Sequence, residues 1–360
     1  MTTIHDLQKL GQSIWYDNIS RGMLKSGEIQ ALIDKGVRGM TSNPTIFEKA
    51  INNTSDYDAS IQHLVTKGYD AQGIFEELAF DDIRAAADLL MPVYESSNGE
   101  DGFISLEVSP DLARDTQGTL ETARRYWQAV AHPNLMIKIP ATPEGIPAIE
   151  TTISEGLNIN ITLMFSLAHY EAVTEAYISG LEKRLASGGD VSKIASVASF
   201  FVSRVDGKVD PLVEAKGRAD LMGKIAIANA RVTYARFKEI FSGPRWQKLA
   251  DAGAKVQRPL WASTSTKNPS YPDTLYVDTL IGAHTVNTVP TETLEALLDH
   301  ATVALTVEND VDESRAQIDE LAALDIDFDA ITEALQVEGV EKFAESFSQL
   351  LASIEAKVPA

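Results

Sequence analysis

Eight short apolar runs, each followed by a longer stretch of helical periodicity, constrain this sequence more than any other feature. The runs are 13–17 (SIWYD), 37–43 (VRGMTSN), 103–108 (FISLEV), 135–140 (LMIKIP), 158–165 (NINITLMF), 195–203 (ASVASFFVS), 258–264 (RPLWAST) and 285–289 (TVNTV). Strands buried on both faces by flanking helices read as such runs, and amphipathic stretches such as 110–130 and 167–187 supply the crossovers between parallel neighbours. Eight units of this kind predict a closed (β/α)8 TIM barrel. An open doubly wound sheet shares the alternation but usually carries a glycine-rich dinucleotide turn after its first strand. Here WYDNISRG follows instead, and neither G-x-G-x-x-G nor G-x-x-x-x-G-K-[ST] occurs.

A length of 360 residues suits one barrel domain spanning 1–360, because parallel barrels keep a single core at lengths where other folds divide. Residues 302–357 read as helices beyond the last strand (ESRAQIDELAAL, DAITEALQ, EKFAESFSQLLASIEA), an extension expected to pack on the barrel. The insertion at 53–97 is also helical. With no cysteine, disulfides and thiolate chemistry are excluded and the expected location is cytoplasmic. The N-terminal segment lacks the basic-then-apolar pattern of a signal peptide, and no run approaches the ~20 apolar residues of a membrane helix. A formal charge of 31 − 52 = −21 argues against nucleic acid and anionic membrane as partners. An anionic metabolite would therefore need a local basic pocket. The six histidines show neither H-x-H nor H-E-x-x-H spacing, so no metal site is expected. A homo-oligomer is compatible with the sequence, which does not fix the assembly.

In a parallel barrel the active site lies at the C-terminal ends of the strands. Polar residues at those ends are Asp17, Asn43, Glu107, Lys138, Asn160 with Thr162, Ser199 with Arg204, Ser263, and Asn287. Unpaired inside apolar runs, each would cost about 1–3 kcal/mol, so convergence on one pocket accounts for them together. Lys138 is the sharpest of these, flanked by Leu135, Met136, Ile137 and Ile139. Desolvation disfavours an ammonium there and favours a neutral amine able to attack a ketone carbonyl. The alternative is a lysine that reaches solvent or pairs with a carboxylate at the barrel mouth. Asp17 and Glu107 suit proton transfer, or equally ion pairing with Lys138 or Arg204. Asn43, Asn160, Thr162 and Ser199 suit sugar hydroxyls and a positioned water, although strand-end Asn and Ser also cap helices. Arg204 and Lys267, just past strands six and seven, are candidate phosphate ligands, with Lys267 nearer the usual barrel site; surface salt bridges are the alternative.

The segments TSNPTIF around Asn43, KIPAT starting at Lys138, NINITLMFS around Asn160 and Thr162, and SFFVSR from Ser199 to Arg204 together resemble the active-site signatures of the transaldolases. WASTSTKNP and LYVDTLIGAHTVNTVP look similar to the longer bacterial members, including actinobacterial ones. The resemblance implies a Schiff base on Lys138, proton transfer at the cleaved hydroxyl by Asp17, and a catalytic water held by Glu107 and Thr162. It implies dihydroxyacetone contacts from Asn43, Asn160 and Ser199, phosphate contacts from Arg204, Ser263 and Lys267, and no cofactor. The implied reaction converts sedoheptulose 7-phosphate and glyceraldehyde 3-phosphate to erythrose 4-phosphate and fructose 6-phosphate, in the non-oxidative pentose phosphate pathway. Fructose-6-phosphate aldolases of the same superfamily tend to carry Gln and Tyr where this chain has Glu107 and Phe201, which favours transfer. A catalytically idle sugar-phosphate-binding barrel is the other alternative, and it would not need Lys138, Asp17 and Glu107 together.

Overall fold

The computed structural model describes residues 2–358. Its strands are β1 (Gln12–Tyr16), β2 (Gly39–Met40), β3 (Ile104–Glu107), β4 (Leu135–Pro140), β5 (Ile159–Met164), β6 (Ser196–Phe201), β7 (Arg258–Ala262) and β8 (Thr285–Val289). All pairs are parallel, and β1 closes on β8, so the expected eight-stranded barrel with intervening helices is the observed architecture. Among the described residues no helix is long and apolar enough to cross a membrane.

The strands lie within one or two residues of the apolar runs, except β2. There the ladder shrinks to two residues because Asn43 turns away to cap the helix Pro44–Asn52, accepting from the Ile46 amide at 3.0 Å. Gly39 is required on that strand: a Cβ would stand 2.6 Å from the indole of Trp15. The stretch 110–130 likewise divides. Pro110–Leu112 forms a 3-10 turn, and Asp115 then caps the helix Thr116–Val130 by accepting from Gly118. The insertion resolves into helices Asp58–Thr66 and Ala71–Ser96.

Side chains alternate between the two faces of a strand, so residues two apart share the barrel interior. On β1 this places Ser13 and Trp15 below Asp17. On β3, β4 and β5 the register aligns Glu107 with Lys138 and Lys138 with Asn160. Ser13 and Trp15 belong to a polar plug at the N-terminal end. Asp101 accepts from Ser13 Oγ (2.7 Å), Trp15 Nε1 (3.1 Å) and Arg258 Nη2 (3.0 Å), all in buried surroundings. The plug holds the start of β7 against β1 and the approach to β3.

Beyond β8 come helices Thr291–His300, Val311–Ala323 and Phe328–Ala356. The sequence pattern suggests a break near VEGV, yet the last helix runs unbroken for 29 residues. Gly339 sits inside it where a Cβ would come within 2.7 Å of Leu163, so the glycine permits close packing instead of ending the helix. This C-terminal helix crosses the C-terminal mouth of the barrel. Glu338 pairs with Lys208 at 2.6 Å, Ser346 accepts from Thr45 at 2.8 Å, Phe347 meets Phe75 edge-on at 5.5 Å, and the following Lys357 pairs with Asp58.

Removing one partner of a buried ion pair leaves an uncompensated charge, which costs about 3–5 kcal/mol. Asp101→Ala is expected to lower stability by that amount in denaturant unfolding, although Asp101 lies at the end of the barrel opposite the mouth. A loss under about 1 kcal/mol would show that the plug does not hold the barrel floor.

Candidate active site

At the C-terminal mouth lies a cavity of about 210 Å³ whose walls come from seven of the strands or the loops that follow them, all but β3, and from the C-terminal helix. Of the residues singled out from sequence, Asp17, Asn43, Lys138, Thr162, Ser199, Phe201, Arg204, Ser263 and Lys267 line it together. A larger depression of about 580 Å³ between the last two helices is walled by Asp319, Asp325, Asp327 and Asp329. That acidic wall repels an anionic ligand, so the mouth cavity is the candidate.

Lys138 is 5% exposed, and its Nζ donates to the Ser42 carbonyl at 3.3 Å. It faces the Glu107 carboxylate at 3.1 Å, so the pairing alternative and the pocket position are both realised. Burial pushes Glu107 above the ordinary carboxylate range, Lys138 pulls it down, and Asp17 adds to the rise. Burial likewise pushes Asp17 up, against the opposing effects of Lys138 and of the hydrogen bond from Thr41 Oγ1 at 2.6 Å. Two carboxylates and one ammonium thus form one coupled charge cluster. Glu107 borders a small adjoining cavity with Ser42, Asn43 and Phe347 instead of the main one. Among the described residues Thr162 Oγ1 is buried without a hydrogen-bond partner, and the Lys138 Nζ at 3.1 Å is the polar contact of the buried Glu107 Oε2.

Asn160 lies beneath the cavity wall. Its carbonyl accepts from Ser199 Oγ at 2.7 Å and its amide donates to Ser105 Oγ at 2.9 Å, so both ends are engaged by protein. Asn43 spends its carbonyl on the helix cap while still bordering the cavity. Asn287 is on the outer face of β8, accepting from Thr264 at 2.8 Å, and its neighbour Thr288 points inward. Strands buried on both faces give no polar signal of parity, which is why the sequence pointed one residue away.

Arg204 and Lys267 both face the cavity. Among the described residues neither has a carboxylate within 4 Å, so the surface salt bridge weighed for each is not what the structure forms. Burial pushes the Arg204 guanidinium below its ordinary value, and it lies 5.1 Å over the Phe201 ring. Partial burial, and next the Arg204 charge, push Lys267 down, and its Nζ donates to Ser265 Oγ at 2.6 Å. Two unpaired cations facing one cavity of a chain with charge −21 form an anion cradle. Sequence reasoning missed Thr41, Thr288, Ser265 and Phe343. The first three sit among equally polar neighbours, and Phe343 reads as one more core position of a helix.

The transaldolase/fructose-6-phosphate aldolase family model matches residues 14–354. The chain is 50% identical over 368 residues to transaldolase 2 of a Nostoc species, covering 98% of this chain and 97% of that protein. It is 48% identical over 374 residues to a transaldolase of Trichodesmium erythraeum, covering 99% and 98%. A Parafrankia transaldolase is 48% identical over 360 residues, with the same coverage. With a match running from β1 into the C-terminal helix, through every strand that walls the cavity, the chain belongs to the transaldolase/fructose-6-phosphate aldolase family.

Proposed function

We propose that this chain is a transaldolase, moving a dihydroxyacetone unit from a ketose phosphate to an aldose phosphate through an imine on Lys138. The observation that carries the reading is a lysine amine enclosed at the barrel mouth, with one carboxylate at 3.1 Å and a second, Asp17 just past β1, lining the same cavity. A structural lysine needs no cavity in front of it, and full-length relatives carry the transaldolase name. The substrates are sedoheptulose 7-phosphate and glyceraldehyde 3-phosphate, and the products erythrose 4-phosphate and fructose 6-phosphate. The chain acts as one catalytic unit in the cytoplasm, with residues 302–357 packed on the barrel.

Lys138 adds to the C2 carbonyl of the ketose, and loss of water gives the imine. Glu107 and Thr162 hold the water that carries protons for this dehydration, a role that the unpartnered buried hydroxyl of Thr162 and the place of the Glu107 carboxylate beside Lys138 support. Asp17 takes the proton of the C4 hydroxyl. The C3–C4 bond then breaks, its electrons flow into the imine to form an enamine, and the shortened aldose leaves. An acceptor aldose reverses the sequence. Ser199, held by Asn160, and Asn43 bind the hydroxyls of the retained three carbons. Arg204, Ser263 and Lys267 bind the phosphate, with Phe201 as an apolar wall.

Borohydride reduction in the presence of fructose 6-phosphate, followed by peptide mass mapping, is expected to leave a three-carbon adduct on Lys138. Lys138→Met should abolish adduct and turnover while changing stability by less than about 2 kcal/mol. The fold tolerates it because Glu107, already pushed up by burial, takes a proton once its counter-ion is gone. Turnover persisting in Lys138→Met would remove the mechanism.

Asp17 acts only when ionised, and burial raises it. Activity should therefore fall as pH drops through an apparent value above the ordinary aspartate range, a value belonging to the coupled cluster. Asp17→Asn should keep adduct formation from dihydroxyacetone but lose bond cleavage. An acid limb of kcat/KM within or below the ordinary aspartate range would contradict the assignment.

Hydrogen bonds to charged groups contribute about 1.5–3 kcal/mol each, or roughly 10–100-fold in kcat/KM. Arg204→Ala and Lys267→Ala should each lose that factor with phosphorylated substrates and little with unphosphorylated glyceraldehyde as acceptor. Equal losses on both would place the phosphate elsewhere.

A further inference from the structure

The C-terminal helix contributes to the pocket a side chain that no strand supplies. The ring centroid of Phe343 lies 5.4 Å from Lys138 Nζ, and the residue lines the cavity while only 7% exposed. Gln336, Gly339, Phe343, Phe347, Leu350 and Ile354 recur at spacings of three and four on the buried face of the helix. Their contacts fix the ring from both sides. Gln336 donates to the carbonyls of Ala141 and Leu163, each at 3.0 Å, and these carbonyls stand just beyond Lys138 on β4 and Thr162 on β5. On the other side Phe347 is locked against Phe75, and Gly339 gives the helix its close approach to Leu163.

Most of the cavity wall is polar, so an apolar ring placed over the reacting nitrogen calls for an explanation. Resting on the imine chemistry above, we propose that Phe343 favours transfer over hydrolysis by keeping water off the covalent intermediate. Once the first aldose has left, three carbons remain on Lys138 as an enamine. Hydrolysis protonates the enamine carbon, adds water across the resulting C=N bond, and then breaks the C–N bond as the nitrogen takes a proton from the added hydroxyl side. The products are dihydroxyacetone and the free amine, and water is the only other reactant. A phenyl face offers no hydrogen bond to orient an attacking water. The intermediate therefore persists until an aldehyde arrives. The role is distinct from that of Phe201, which belongs to β6 and carries the Arg204 guanidinium over its face.

Phe343→Ala and Phe343→Leu in the full chain test this role. Dihydroxyacetone released from fructose 6-phosphate alone is measured against sedoheptulose 7-phosphate formed when erythrose 4-phosphate is added. Borohydride trapping is run alongside on the unaltered protein and both variants. The ratio of release to transfer should rise about tenfold in Phe343→Ala, within the range an apolar pocket contact discriminates, and by less in Phe343→Leu, which still covers part of the nitrogen. General loosening of the site would lower both rates and leave the ratio unmoved. An unchanged ratio in variants that still trap the adduct overturns the role of Phe343 and leaves the imine standing. Absence of an adduct in the unaltered protein overturns both. Should Phe343→Ala fail to fold, the ratio in Phe343→Leu decides.

Discussion

An ammonium group inside a barrel has to be answered by charge and hydrogen bonds at its own level, and that demand shapes everything around Lys138. Bringing one such ion out of water costs several kcal/mol even after relaxation. Glu107 at 3.1 Å and the Ser42 carbonyl at 3.3 Å offset part of that cost. Because parallel register sets Glu107, Lys138 and Asn160 side by side, the same layer continues as hydrogen bonds through Asn160 to Ser105 and Ser199. The bond from Thr41 to Asp17 extends the arrangement across β2 to β1. Each buried polar group is thereby a reason for the next, and the cavity opens where the chain of partners ends.

The architecture was legible because buried parallel strands and amphipathic crossovers leave different periods in the sequence, and Lys138 because an ammonium contradicts its apolar run. Parity was harder to see. Where both faces of a strand are apolar, nothing local tells Asn287 from Thr288, and only the closed barrel decides which points inward. Asn43 illustrates a second difficulty, since one side chain serves as helix cap and cavity wall, two tasks with the same sequence signal. Phe343 illustrates a third. Its helix has an ordinary core-facing stripe, and only the docking of that stripe across the mouth brings the ring to Lys138.

Backbone conformation at two strand ends completes the wall. Leu163 has φ +63° beside a register shift in the β5–β6 pairing, and Ser263 has φ +55° just after β7. Positive φ in such residues costs of order 1–3 kcal/mol and persists only where surroundings over-determine it. At Leu163 the surroundings are Gln336 on its carbonyl and Gly339 against its side chain. At Ser263 they are the Ser203 amide on its carbonyl and the Ser203 hydroxyl on its own, each at 3.0 Å. The second pair ties the end of β7 to the first turn of the helix Ser203–Ala215, where Arg204 stands. Both bends thus serve positions that face the cavity.

The charge of the chain opposes an anionic substrate only if it is treated as uniform. At physiological ionic strength a field is screened over about 8 Å, so surface carboxylates beyond that distance act on encounter and hardly on the bound state. At contact range the cavity presents Arg204 and Lys267, which among the described residues form no ion pair, unlike Arg124, Arg236 and Arg245, which pair with glutamates. Keeping two cations unpaired in so acidic a protein requires that their carriers be held by other means. Tyr271 donates to Asp210 at 2.6 Å and Tyr276 to Asp206 at 2.8 Å, fastening the segment after β7 to the helix that begins beside Arg204. The carboxylates whose charge reaches the cradle, Glu338 for Arg204 and Glu292 for Lys267, form no ion pair with it, while Asp206 and Asp210 serve as acceptors for tyrosine hydroxyls and so hold the two carriers together without quenching the cations.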